Sequence, residues 1–465
     1  MLNRRNVILT LDDLPVNGKI YFAGIGGISM SALAMILYNK GYDVCGYDRT
    51  ATALTREMEK KGIRIFYETK ESNLDGVRCA IYSAALKSDN PEIIQIQRKG
   101  IPLYKRAELL GALAREYANS IGVAGTHGKS TTSGMLSYIF MHGQKYDPTV
   151  IVGAVLPNLN STFRLGSDEN FIFEADEYTD SFLNFFPHIA VVLNIKMDHT
   201  DYFPNYERYI QSFNKFINNT GKDGYAIVNK ECEGCTRAAV EYPGTVITYS
   251  ATGDETADFY AKNIVLKKGF ASFDVYKRGE YYMSARLSVP GAHNVANALA
   301  AIACCDLCGV DKETIAGGLL DFKGVRRRFE YKGTFNGADV YDDYAHHPDE
   351  IRATLATAKN MEYDRVVCVF QPHTYSRLND LFEDFASSFH DSDLAVFADV
   401  YSARENNIYG ISSANLSERV GGSKYFDSFE KIKEYLKKEI RAGDLLIFMG
   451  AGNITELAEE VVRPQ

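Results

Sequence analysis

Short, unbroken apolar runs recur along the chain, each released at a glycine or an acid into residues with helical spacing. An apolar run without polar alternation predicts a strand covered on both faces, and strands alternating with helices predict parallel, doubly wound sheets. The first block opens with a strand at Lys19-Ile-Tyr-Phe-Ala23, a glycine turn and a helix over 30–37. A second strand, 42–47, ends in Asp48; further strands, one around 79–83, alternate with helices to about residue 107. The second block begins with a helix over 106–117, then a strand, a glycine turn and a helix opening at Lys129. Buried-type strands follow at 149–152, 171–175 and 189–195. Alternating polarity over 258–289 predicts an antiparallel appendage, and helices at 293–308 and 312–320 close the block. A third block follows Lys323-Gly-Val-Arg-Arg-Arg328, with strands at 366–370, 394–399 and 445–449; the last runs into Gly450-Ala-Gly452 and a helix over 454–461. The expected fold is therefore α/β in three domains: an N-terminal Rossmann-like parallel sheet (1–107), a central α/β domain (108–322) that the glycine turn Gly125-Thr-His-Gly-Lys-Ser130 before its helix marks as P-loop ATPase-like, and a C-terminal Rossmann-like domain (323–465).

Composition narrows this picture without changing it. At 465 residues, 46% apolar and 24% charged, the chain reads as a soluble globular protein too long for one core. With 51 Lys and Arg against 60 Asp and Glu, the net charge is −9 and there is no long basic run, so nucleic acid is not the expected partner. No apolar run reaches membrane-spanning length, and the apolar part of residues 1–10 is too short for a signal peptide; no membrane partner and a cytoplasmic location are expected. Of eight cysteines, Cys232 and Cys235 form one C-x-x-C and Cys305 and Cys308 another, the spacing of a zinc site. The two pairs are far apart in sequence, and Cys304, Cys305 and Cys308 sit among alanines and leucines like small apolar residues on a helix. Reduced, packed thiols are the better expectation.

The strongest chemical signal is Gly125-Thr-His-Gly-Lys-Ser-Thr131, between an apolar strand and a helix. Such a turn aims backbone N–H groups at one spot beside the helix's partial positive end of about half a charge. Lys129 adds a full charge for β- and γ-phosphates and Ser130 a hydroxyl for Mg²⁺, which predicts an ATP or GTP cradle. Val123 stands where the strict motif has glycine. Gly24-Ile-Gly-Gly-Ile-Ser29 approaches the dinucleotide fingerprint, with Ser29 in place of its third glycine and Asp48 near the position of a ribose-binding acid. That pattern supports a pyrophosphate ligand, whether a UDP compound, NAD or FAD.

Carboxylates collect where strands end. Phe171-Ile-Phe-Glu-Ala-Asp-Glu177 releases three acids, of which Glu174 is the first choice as Mg²⁺ ligand and Glu177 the second. Asp198-His199 follows the next buried strand and offers an imidazole to the same metal. Asn294 and Asn297 place two amides on one helix face, suited to a nucleotide, although helix capping by Asn294 explains them equally well. Arg326-Arg-Arg328 lies on a joint before the third domain, where an arginine can serve a transferring phosphate. Tyr341-Asp-Asp-Tyr-Ala-His-His-Pro348 ends a strand with two acids and an adjacent pair among only nine histidines.

Taken together, these segments resemble the Mur ligases of peptidoglycan synthesis. The segments are Gly24-Ile-Gly-Gly27, Gly125–Ser130, Glu174-Ala-Asp-Glu177, Asp198-His199, His293-Asn294-x-x-Asn297, Arg327-Arg-Phe329, Asp342-Asp-Tyr-x-His-His-Pro348 and Gly450-Ala-Gly-Asn453. They fall in the family's order across essentially the whole chain. Ser130, Ala345 and Tyr178 replace the commoner threonine, glycine and serine, and none of these removes a functional group. The resemblance implies an ATP-dependent ligase joining L-alanine to UDP-N-acetylmuramate through an acyl phosphate. It implies that Gly24, Ile25, Gly26, Gly27, Ile28, Ser29, Asp48 and Ser83 hold the UDP sugar. Gly125, Thr126, His127, Gly128, Lys129, Ser130, Thr131, Asn294, Asn297, Arg328 and Asp343 would bind ATP. Ser130, Glu174 and His199 would hold Mg²⁺, and His347 and Arg377 the amino acid. Lys129, Glu174, His199 and Arg328 would carry the chemistry, in a monomer or homodimer.

Overall fold

The computed structural model describes residues 8–83, 86, 89–200, 202–403 and 405–463; residues 1–7, weighed above against a signal peptide, lie outside them. Two compact units result: residues through Tyr260 with Leu299–Gly318, and Ala261–Ala298 with Leu319 onward.

In the first unit, five parallel strands (Lys19–Ala23, Asp43–Tyr47, Arg64–Phe66, Val77–Tyr82 and Leu103–Lys105) form a sheet in the spatial order third, second, first, fourth, fifth. The first strand lies between the second and the fourth, so the turn after Ala23, Asp48 and Ser83 leave the same sheet edge side by side. The helix Ile28–Asn39 starts two residues earlier than its apolar spacing predicts and takes Ile28 and Ser29 into its first turn.

The larger sheet of this unit is built around Asn119–Ala124. That strand pairs in parallel with Asn170–Glu174 on one side and Ile189–Val192 on the other. The expected strand over 189–195 thus stops at Val192, and the helix expected over 106–117 stops at Ala114. Beyond Val192, Leu193 and Asn194 run beside the end of Asn119–Ala124, the Leu193 N–H donating to the Ala124 carbonyl and the Asn194 carbonyl accepting the Thr126 N–H, both at 3.0 Å. An aromatic layer backs this arrangement, with the Phe182 and Phe216 rings stacked at 4.8 Å and Phe173 edge-on to Phe185 at 5.5 Å.

Gly111, inside the helix Arg106–Ala114, shows how closely the elements approach. A Cβ there would lie 1.9 Å from the Asn184 carbonyl oxygen, and backbone cannot step aside as a side chain can. Gly111→Ala is expected to lower the thermal midpoint, at a cost of about 1–3 kcal/mol from overpacking. Helix propensity alone favours alanine by about 1 kcal/mol, so a raised midpoint would contradict this packing.

The second unit carries an antiparallel hairpin, Phe270–Lys277 with Glu280–Pro290, within the stretch where alternating polarity predicts one. Its main sheet runs Glu330–Phe335, Ala338–Asp343, Asp444–Met449, Arg365–Phe370, Leu394–Phe397, Lys424–Tyr425, with only the first strand antiparallel. Among the described residues no helix is long and apolar enough to cross a membrane.

Candidate active site

The strand Asn119–Ala124 ends in the glycine turn, and the helix Lys129–Met141 begins directly after it. Gly125 and Gly128 have φ of +142° and +88°, values that side chains other than hydrogen rarely tolerate. At Gly125 the close wall is Leu193 and Asn194, whose atoms would lie 3.1–3.2 Å from a Cβ. Asn194 clamps the turn from behind: its Oδ1 accepts the His127 N–H at 2.9 Å, and its Nδ2 donates to the His127 carbonyl at 2.9 Å. Thr126 is held by Lys196, donating its hydroxyl to that carbonyl at 2.9 Å and accepting that N–H at 3.0 Å. Ser130 is buried, and Thr131 follows it in the first helical turn.

Lys129 curls back over the turn. Its Nζ donates to the Gly125 carbonyl at 2.6 Å and to Glu177 Oε2 at 2.8 Å. Burial pulls the ammonium's pKa down, but the charges of Glu177, Asp176 and Glu174 outweigh it and the pKa is raised. Glu177 is fully buried and also accepts from the Tyr209 hydroxyl at 3.2 Å. Tyr209 in turn lies 3.3 Å from the Thr126 hydroxyl, closing a polar ring of turn, lysine, carboxylate and phenol.

His199 arrives from the other neighbouring strand, with its Nε2 3.8 Å from Glu177 Oε1 and its ring 4.7 Å from that of Tyr178. Glu174 accepts the Gly153 N–H at 2.6 Å. The first unit thus brings Lys129, Glu177 and His199 together, with Glu174 on the adjoining strand end. Glu177, ranked behind Glu174 from sequence, is the carboxylate on the lysine. Tyr209 carries no sequence signal beyond its apolar helix face.

At the smaller sheet, Gly24 has φ +78° and the Gly26 N–H donates to Asp48 Oδ2 at 2.9 Å. A Cβ on Gly26 would meet that same oxygen at 2.7 Å, so a side chain there would displace the Asp48 carboxylate. Gly27 and Ile28 are exposed around the turn. Behind the turn, buried Tyr21 and Glu92 are hydrogen-bonded. Burial pushes the Glu92 carboxyl up to about 7, against the Tyr21 hydrogen bond and with help from Asp48. A cavity of about 320 Å³ opens beyond Ser83, lined by Tyr82, Leu103, Arg106, Thr179, Ser181 and Asn184. Burial lowers the Arg106 pKa while Asp176 raises it.

The second unit holds the remaining candidates. Asn294 donates to the Pro290 carbonyl at 2.7 Å, and Asn297 donates to Asn294 Oδ1 at 2.9 Å. The helix opens at His293, so Asn294 lies inside it and capping does not account for it. Burial, with the Arg328 charge, pulls the His293 imidazole down to about 4. Arg327 is committed to structure, donating to the Gly450 carbonyl at 2.6 Å. Arg328 instead meets Glu350 at 3.4 Å and lies over the Tyr344 ring. Asp343 accepts from Phe329 and Ala345, both at 2.7 Å; burial pushes its carboxyl up to about 6 against these bonds and Arg328. His347 heads the helix Pro348–Lys359, and Arg377 donates to the His373 carbonyl at 3.0 Å.

Comparison with known proteins fits these features. Models of the "Mur ligase family, catalytic domain", the "Mur ligase middle domain" and the "Mur ligase, glutamate ligase domain" match residues 19–118, 123–305 and 327–452. A protein of Agathobacter rectalis named UDP-N-acetylmuramate–L-alanine ligase is 45% identical, with 96% of this chain and 97% of that protein covered. One of Clostridium acetobutylicum with the same name is 42% identical, covering 96% and 97%. The crystal structure of UDP-N-acetylmuramate–alanine ligase from Thermotoga maritima superposes with a TM-score of 0.78 at 29% identity, covering 96% of this chain and 98% of that one. A glycine turn opening a helix, a buried acid on its lysine, and relatives matching from end to end lead to one conclusion: the chain belongs to the Mur ligase family.

Proposed function

We propose that this chain joins L-alanine to the lactyl carboxylate of UDP-N-acetylmuramate, driven by cleavage of ATP to ADP and phosphate. The observation that carries this reading is the Lys129 ammonium, held between the Gly125 carbonyl and buried Glu177 at the head of a helix. Relatives of the same length with this activity in their names support the choice of substrates.

In this reading residues 1–107 take the UDP sugar through the Gly24–Ser29 turn, Asp48 and Ser83. Residues 108–322 take ATP on the Gly125–Thr131 turn, with Asn294 and Asn297 on the nucleotide. Residues 323–465 provide Arg328 for the terminal phosphate, Asp343 for the ribose, and His347 and Arg377 for the alanine carboxylate. A cytoplasmic location is part of this reading. The acids around the turn and the buried Ser130 hydroxyl are a hard-oxygen donor set that fits Mg²⁺. Ser130 and Glu174 would hold the ion through oxygen and His199 through a borderline imidazole nitrogen, and when bound the ion offsets charge on the phosphates.

The lactyl carboxylate attacks the γ-phosphate and ADP leaves, giving an acyl phosphate. The neutral amine of L-alanine then attacks that carbonyl and expels phosphate. The first step brings two anions together; Lys129, fixed by the Gly125 carbonyl and Glu177, cancels part of that charge, and Arg328 would supply a second cation.

The test is one assay of the purified chain with ATP and UDP-N-acetylmuramate, offering L-alanine, glycine, L-serine or L-Ala-γ-D-Glu-meso-diaminopimelate. Phosphate release fastest with L-alanine is expected. Preference for the tripeptide would assign the chain to a recycling ligase instead, and release with none of the four would overturn the reading.

A further inference from the structure

The segment that braces the phosphate turn is itself held by a cysteine. Cys232 precedes the helix Glu233–Ala239, and its Sγ accepts the Ile195 N–H at 3.3 Å. Ile195 sits between Asn194 and Lys196, the two residues that grip His127 and Thr126. Gly234 lies directly against this segment: a Cβ there would come 2.9 Å from Ile195 Cβ. The Cys232-Glu-Gly-Cys235 turn is therefore pressed onto Ile195 and closed by the Cys235 N–H on the Cys232 carbonyl at 3.0 Å. Cys232 is half-buried and Cys235 fully buried, and both are reduced.

We propose that Cys232 and Cys235 form an oxidant-sensitive dithiol whose closure to a disulfide loosens the 194–196 brace and weakens nucleotide binding. The second half rests on the ATP reading above; the first does not. Two features favour the chemistry. The Cys235 thiol hydrogen-bonds to Cys232 and holds it down to about 6, with the Ile195 N–H assisting against burial, while burial drives Cys235 up. Cys232, whose Sγ also lies 3.8 Å from the Ile195 carbonyl, is thus biased towards the thiolate and Cys235 towards the protonated thiol, the roles of attacking and resolving cysteines.

With hydrogen peroxide as oxidant, the Cys232 thiolate attacks one peroxide oxygen. The O–O bond breaks, hydroxide leaves and takes up a proton, and a sulfenic acid forms. Cys235 sulfur then attacks Cys232 sulfur, an S–S bond forms, and the S–OH oxygen leaves as a second water. Two thiols lose two electrons and two hydrogens, and one peroxide becomes two waters. The sulfur facing Ile195 then carries no negative charge, and its hydrogen bond to the brace weakens.

The experiment treats the whole protein with peroxide, blocks remaining thiols and maps the peptide carrying both cysteines by mass. A fluorescent ATP analogue is titrated in parallel. Loss of two hydrogens from that peptide is expected, reversed by dithiothreitol. Nucleotide affinity should fall on the order of tenfold, the size of losing one hydrogen bond to a charged acceptor, and recover on reduction. Cys232→Ser keeps an acceptor for Ile195 without a nucleophile, so peroxide should leave its affinity unchanged. An unchanged mass overturns the dithiol, and a disulfide without an affinity change overturns the coupling. Equal peroxide sensitivity of Cys232→Ser overturns the assignment to this pair. Failure of the reduced protein to bind nucleotide overturns the ATP reading and the coupling with it, while the mass shift still decides the dithiol.

Discussion

Lys129→Ala is expected to abolish alanine-dependent phosphate release, with kcat falling by on the order of 10³ or more, as when a preorganised partner for developing charge is removed. The lysine is aimed by three acceptors, the Gly125 and Thr126 carbonyls and Glu177, so its charge is fixed before substrate arrives. The same contacts make the substitution a risk to folding. Glu177 is fully buried, and removing one member of a buried pair costs about 3–5 kcal/mol because the other charge is stranded. Lys129 keeps some solvent contact, which puts the cost at the lower end of that range. The raised lysine pKa sets the sign with pH: the contribution is fully present below the ordinary lysine value of 10.5 and is lost only as pH climbs above it through the raised pKa. A second variant separates chemistry from stability. Lys129→Ala with Glu177→Gln removes both charges, and its thermal midpoint should recover most of the loss while its activity stays absent. Near-normal turnover in either variant would remove the phosphate-cradle assignment.

Much of this centre was legible because its parts obey local rules. Glycine next to an apolar strand and before a helix means a backbone turn with positive φ, and Gly125 and Gly128 supply it. Acids after a buried strand face a ligand edge, and Glu174, Glu177 and His199 come from the two strands that flank Asn119–Ala124. Which acid meets the lysine was not legible. Glu174 is the last strand residue, and its pairing with the Gly153 N–H depends on a strand distant in sequence. Glu177 reaches Lys129 from just beyond the strand end, and the chain then turns through left-handed Thr179 and Asp180, where no glycine signals it. Asp180 is secured by Arg208, Ser212 and Tyr202, contacts made across the fold. Asp48 was placed correctly at its strand end, yet one of its oxygens is spent on Gly26 before any ribose arrives. Pattern fixes which edge collects polar groups; partner choice needs the tertiary contacts.

The division of labour between the two acids gives the second large effect. Glu174→Gln retains an oxygen for the Gly153 N–H and nearly the same volume, so the fold should lose no more than about 0.5 kcal/mol. What it loses is the charge proposed to hold Mg²⁺. The Mg²⁺ concentration for half-maximal activity should rise by about 10–100-fold or more, the range already seen when mere supporting partners of metal ligands are removed. Mn²⁺ binding in the presence of a non-hydrolysable ATP analogue, followed by its paramagnetic signal, should weaken in parallel and needs no turnover. Glu177→Gln should behave in the opposite order. It leaves the Lys129 ammonium without its nearest counter-charge and the Tyr209 hydroxyl without a carboxylate, so its main effect should be a lowered thermal midpoint. If the metal requirement instead moves with Glu177→Gln and stays fixed with Glu174→Gln, the ligand is the buried acid. Lys129 would then have to surrender it each time a metal–nucleotide complex enters, and the turn would bind metal and lysine in competition.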